Sequence, residues 1–86
     1  MATVNPQGVS QLINVTDHFR DMIKNLRSFA VEYEELSEDQ KKAVRHTLYQ
    51  QEGEFGKIFF QAFKPALPKI AEHEVKLAAK NAIESN

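Results

Sequence analysis

Apolar residues recur along the first third of the chain at alternating intervals of three and four positions. The main column of this pattern is Leu12, Val15, Phe19, Met22, Leu26, Phe29, Tyr33 and Leu36. A second column, one heptad position further on, is Val9, Ile23 and Ala30. These intervals place side chains on one face of an α-helix, and two columns make a stripe wider than a two-stranded coiled-coil seam. The pattern predicts a first helix over residues 6–36 that forms one wall of a bundle.

A second helix is predicted over residues 38–64. Ser37 and Gln40 have the spacing of a capping box, and two acids follow Ser37, where the helix dipole favours negative charge. Because neither glycine nor proline marks a turn at 36–37, a helix that continues through Ser37 is the alternative. Gly53 and Gly56 each lower the helix propensity by about 1 kcal/mol relative to alanine. The helix therefore kinks or breaks at 53–56, or a neighbouring helix approaches closely over these small residues.

Two prolines separate the second helix from a third. Pro65 ends the second helix at or before Lys64, and Pro68 fits the first turn of a third helix over residues 67–83. The stripe of this third helix is rich in alanine and buries little area. The chain is thus predicted to be a single all-α domain, residues 1–86, with a flexible N-terminus at 1–5. Its predicted architecture is a three-helix bundle, in which helices 1 and 2 form a long antiparallel hairpin.

Composition narrows the class of protein. The 86 residues include no cysteine, which excludes a disulfide framework, a thiolate metal site and a cysteine nucleophile, and favours a cytoplasmic location. No apolar run reaches the roughly 18–20 residues of a membrane span, and residues 1–8 do not resemble a signal peptide. Because a chain of this length buries a modest core, a partner subunit is expected. The simplest is a second copy in a twofold homodimer.

Charge is unevenly distributed along the chain. Residues 1–40 hold three basic and seven acidic residues, whereas residues 41–86 hold eight basic and five acidic residues. Opposite charges can attract within one folded chain or head to tail between chains. The simpler interpretation is a solvated surface with local ion pairs, which are individually weak.

The sequence contains no recognisable catalytic or metal-binding constellation. The histidines His18, His46 and His73 do not occur in Glu-x-x-His or His-Glu-x-x-His motifs, which supply helical metal sites. No serine lies in a Gly-x-Ser-x-Gly elbow, and no glycine-rich loop could cradle a phosphate. We therefore predict that the chain is not an enzyme and uses no metal or cofactor.

The most suggestive feature is an aromatic cluster in the predicted second helix. Its members are Tyr49, Phe55, Phe59, Phe60 and Phe63. Aromatic residues at helical spacing usually pack in a core. This helix, however, has more apolar faces than an alanine-rich third helix can cover. Part of the cluster is therefore predicted to form a partner-binding or self-association surface.

These features favour a non-enzymatic protein–protein interaction module: an adaptor, an assembly factor or a small inhibitor. One alternative is a small nucleic-acid-associated regulator that uses the basic patch Lys41, Lys42 and Arg45. Against it, acids interleave the patch and the chain carries a net charge of −1. Another alternative is a helical bundle that binds a small ligand between its helices.

Overall fold

A computed structural model describes the backbone of residues 6–84 and the side chains of residues 8–84. This part of the chain contains no strand and four α-helices, which are α1 (Pro6–Glu34), α2 (Glu38–Glu52), α3 (Glu54–Phe63) and α4 (Leu67–Glu84). The all-α prediction is confirmed. The predicted flexible segment at 1–5 lies outside the described residues. None of the helices within residues 6–84 combines the length and the apolar character that crossing a bilayer requires.

The turn between α1 and α2 forms where the capping box predicts it. The Ser37 hydroxyl accepts a hydrogen bond from the Gln40 backbone N–H at 3.2 Å, and the Gln40 side chain accepts one from the Ser37 N–H at 3.0 Å. Both groups of the box are therefore satisfied. The alternative of a helix continuing through Ser37 is wrong, and α1 ends at Glu34, before the predicted end at residue 36.

Removing the Ser37 hydroxyl should destabilise the fold. Ser37→Ala leaves a donor at the start of α2 without its acceptor, and we expect the free energy of unfolding to fall by about 1 kcal/mol. Urea unfolding followed by circular dichroism measures this change. Ser37→Asp is the matched control, because its carboxylate can accept the same hydrogen bond and should keep the wild-type midpoint. Equal midpoints for wild type and Ser37→Ala would contradict a stabilising cap.

Gly53 divides the predicted second helix into α2 and α3, so residues 6–84 hold four helices instead of three. Its φ of 59° is one that residues with a Cβ rarely adopt, and its N–H donates to the Tyr49 carbonyl at 3.0 Å to close the last turn of α2. A Cβ on Gly56 would lie 2.8 Å from the Leu48 carbonyl oxygen. The two glycines therefore have different roles: Gly53 breaks the helix, and Gly56 lets α2 and α3 approach closely.

The helices pair differently from the predicted hairpin. The closest backbone packing is between α1 and α4 and between α2 and α3, and the long antiparallel pairing of the first two helices is not observed. Ala30 of α1 and Ala71 of α4 are both buried, which lets their backbones lie close together. The helix breaks at Gly53, and the phenylalanines of α3 contact the face of α1.

The core is small and the molecule is extended. Within the described residues the buried apolar side chains are Ala30, Tyr33, Phe60, Leu67 and Ala71. The radius of gyration is 17.6 Å, whereas a compact domain of this length would have about 12 Å. Residues 8–22 are exposed throughout. Only the second half of α1 is therefore a wall of the bundle, and the first half of its apolar stripe lies outside the core.

Candidate interaction surface

The structure divides the predicted aromatic cluster into a buried part and an exposed part. Phe60 is only 2% exposed, and its ring lies 5.7 Å from that of Tyr33 and 5.9 Å from that of Tyr49. Tyr49 is half-buried against this core. Phe60 therefore belongs to the interior of the chain and contributes no accessible surface. The prediction that placed it in a docking surface does not fit this position.

Phe59 links the interior to the surface. It is half-buried, and its ring meets that of Phe29 in α1 edge-on at 5.6 Å. On its other side it contacts Phe63, with ring centroids 5.1 Å apart. Such aromatic pairs add to the free energy gained by burial. Phe59 thus anchors α3 on α1 and also holds Phe63 at the edge of the core.

The exposed part of the cluster forms what we call the α3 face, consisting of Phe55, Ile58, Ala62 and Phe63. Phe55 is 72% exposed and Ile58 is 57% exposed. Helical spacing places the four residues on one continuous side of α3. Sequence reasoning identified Phe55 and Phe63 but did not include Ile58 or Ala62 in this surface, because it considered the aromatic residues alone.

A second exposed apolar surface lies on the first half of α1. We call residues 8–25 the α1 arm; all of them are exposed except Ile23, which is half-buried. The seam of the arm is Leu12, Val15, Phe19 and Met22. Sequence reasoning placed these residues inside the bundle. Their spacing shows that a helical partner is needed but does not show whether that partner belongs to the same chain.

Two of the three residues in the basic patch are engaged within the chain. The Lys41 ammonium lies 2.8 Å from a Glu34 carboxylate oxygen and 3.4 Å from one of Glu38. The hydrogen bond to Glu34 is the main reason that the pKa of Lys41 is raised above its usual value. Arg45 donates a hydrogen bond to the Tyr33 hydroxyl. These contacts tie the start of α2 to the end of α1, and Lys42 is the exposed member of the patch.

Neither a metal site nor an enclosed ligand pocket is found in the described part of the chain. No group of three His, Asp or Glu side chains within it could hold a metal ion. The grooves are open to solvent, including the one between α1 and α4 that is lined in part by Val31, Ala71 and Val75. A binding site for a small molecule usually encloses most of its ligand.

Comparisons of the chain with protein-family models, with curated proteins and with solved structures find no match. Its function is therefore argued from its own surfaces. The α3 face and the seam of the α1 arm are two features of those surfaces that packing within the chain does not explain.

Proposed function

We propose that the chain is a non-enzymatic protein–protein interaction module, such as an adaptor, an assembly factor or a small inhibitor. It docks the α3 face on the apolar face of a helix in another protein, and it works as a homodimer. The cytoplasmic location predicted from the cysteine-free sequence is part of this proposal.

The exposure of Phe55 and Ile58 is the observation that carries the proposal. Both are large apolar side chains, and more than half of each side chain is exposed. Single exposed apolar residues are common on protein surfaces, but a continuous apolar face is typical of an interaction site. Phe63 extends this face, and its contact with Phe59 ties it to the core. The face is therefore held on a fixed support, which lowers the entropic cost of docking.

The charges of the described residues favour a protein partner over a nucleic acid. Contacts to phosphates require cations that are available to the ligand. Lys41 is only 13% exposed at its side chain and pairs with two carboxylates, and Arg45 is half-buried against Tyr33. A regulator that binds nucleic acid through this patch would have to break those contacts first.

Variant-dependent capture tests the docking function. The purified chain is immobilised and exposed to an extract of its source cells, in parallel with Phe55→Asp and Gln61→Asp. Gln61 is exposed on the same helix but outside the α3 face, so Gln61→Asp controls for the added charge. We expect wild type and Gln61→Asp to retain the same protein and Phe55→Asp to lose it. Equal capture by all three chains, or by none of them, would contradict docking through this face.

A further inference from the structure

We infer that the α1 arm pairs in antiparallel orientation with the α1 arm of a second copy of this chain. This inference rests on the proposed function, since it specifies how the proposed homodimer is built. Four observations support it: the register of the seam, the residues that flank it, the area it exposes and the point at which its exposure ends.

The seam of the arm is complementary to itself when two copies run in opposite directions. In an antiparallel pair, the two apolar positions of one heptad face each other across the interface. With the twofold axis near residue 17, Leu12 faces Met22 of the second copy, and Val15 faces its Phe19. In the same register Val9 lies opposite Asn25 of the second copy, and Ile23 lies opposite its Gln11. The apolar pairing is therefore formed by the four residues of the seam, each of which meets an apolar partner.

None of the positions that flank the seam is Asp, Glu, Lys or Arg. They are Val9, Gln11, Thr16, His18, Ile23 and Asn25. In coiled coils, charges at these positions select the partner, and like charges opposite one another prevent self-pairing. The charged residues Asp17, Arg20, Asp21 and Lys24 occupy the outer positions of the helix instead. Two identical arms can therefore approach without repulsion, whereas a charged partner would find no complementary charges beside the seam.

The exposed apolar surface of the seam favours a partner. Leu12, Val15, Phe19 and Met22 are 67, 59, 56 and 54% exposed. Pairing removes this apolar surface from water on both copies, which contributes about 25 cal/mol for each Å² buried.

The exposure of the seam ends where the chain's own core begins. From about Leu26 onward the seam packs within the chain. Because that core lies at one end of the arm, antiparallel pairing places the two cores at opposite ends of the paired arms. Most helical stability in proteins comes from packing of an apolar face, so the second copy also stabilises the helix itself.

Disulfide cross-linking tests the orientation and the register. Because the chain has no cysteine, Leu12→Cys and Met22→Cys each carry a single thiol. Under mild oxidation we expect a mixture of the two variants to form a mixed disulfide dimer, and neither variant to cross-link alone. A disulfide requires the two Cα atoms to lie within about 7 Å. Asp17→Cys, on the outer side of the arm, is the control and should remain uncross-linked in every mixture.

Each other outcome overturns the inference. Cross-linking of Leu12→Cys with itself would show a parallel pair, and no cross-linking in any mixture would show that the arms do not meet. A charge in the seam gives a second readout: Phe19→Asp should raise the dimer dissociation constant at least 100-fold, whereas Asp17→Asn should leave it unchanged. These experiments use the purified chain alone. Their failure would leave capture by the α3 face intact, and failure of that capture would leave cross-linking intact.

Discussion

Phe60→Ala is expected to lower the free energy of unfolding by about 3–5 kcal/mol, as large-to-small substitutions of buried phenylalanine do. Phe60 is one of the few buried side chains in the described part of the chain, and its ring contacts rings of α1, α2 and α3. A chain of 86 residues has a total stability on the order of 4–13 kcal/mol. This loss is a large fraction of the total, and at the lower end of that range it leaves the variant largely unfolded. Urea unfolding at a fixed chain concentration measures the change.

Phe55→Ala is the matched control, because it removes the same side chain from the same helix at an exposed position. Phe55 is 72% exposed, and we expect a change within about 0.5 kcal/mol. The two variants distinguish core from docking surface within one aromatic cluster. Phe60→Ala should lose several kcal/mol of stability, whereas Phe55→Ala should keep its stability and lose partner capture. A folded Phe60→Ala with the stability of wild type would contradict the position of α3.

Gly56→Ala is expected to destabilise the protein by about 1–3 kcal/mol. In an ordinary helix the same substitution would stabilise the protein. Replacing glycine by alanine in an exposed helix interior stabilises by about 1 kcal/mol. At Gly56, however, the new Cβ would lie 2.8 Å from the Leu48 carbonyl oxygen, which is a backbone atom and cannot move independently of α2. Relieving this clash requires α2 and α3 to separate, with the cost typical of overpacking.

Thermal unfolding of Gly56→Ala and Gln61→Ala, each compared with wild type, tests whether the Gly56 substitution destabilises the protein. Gln61 is an exposed residue in the same helix, so its substitution by alanine should be nearly neutral. A Gly56→Ala variant more stable than wild type would show that α2 and α3 do not approach each other at this point. Gly53→Ala should also destabilise, but for another reason: no atom lies near the new Cβ, and the cost of about 1–3 kcal/mol comes from the positive φ.

The sequence predicts local structure well where a local interaction decides it. The start of α2 follows from Ser37 and Gln40, and the end of α3 follows from Pro65, because caps and prolines act on the backbone within one turn. The glycines show the limit of such reasoning. The two glycines in the sequence predict a kink, a break or a close helix approach at 53–56. Only the structure assigns the break to Gly53 and the close approach to Gly56.

The pairing of the apolar helix faces could not be predicted in the same way. The apolar intervals are regular from Leu12 to Leu36, yet only the part from about Leu26 onward packs within the chain. A heptad pattern specifies that a face needs a partner, and the identity of that partner depends on contacts distant in sequence. The break at Gly53 contributes to those contacts, because it separates α3 from α2, and α3 places Phe59 against Phe29 and leaves Phe55 exposed.

The mass of the purified chain in solution tests most directly whether a second copy covers the α1 arm. Sedimentation equilibrium at tens of micromolar chain should give twice the 9.8 kDa of one chain for wild type, and 9.8 kDa for Phe19→Asp with the core still folded. A wild-type mass of 9.8 kDa at this concentration, with the α1 arm still exposed, would contradict the account.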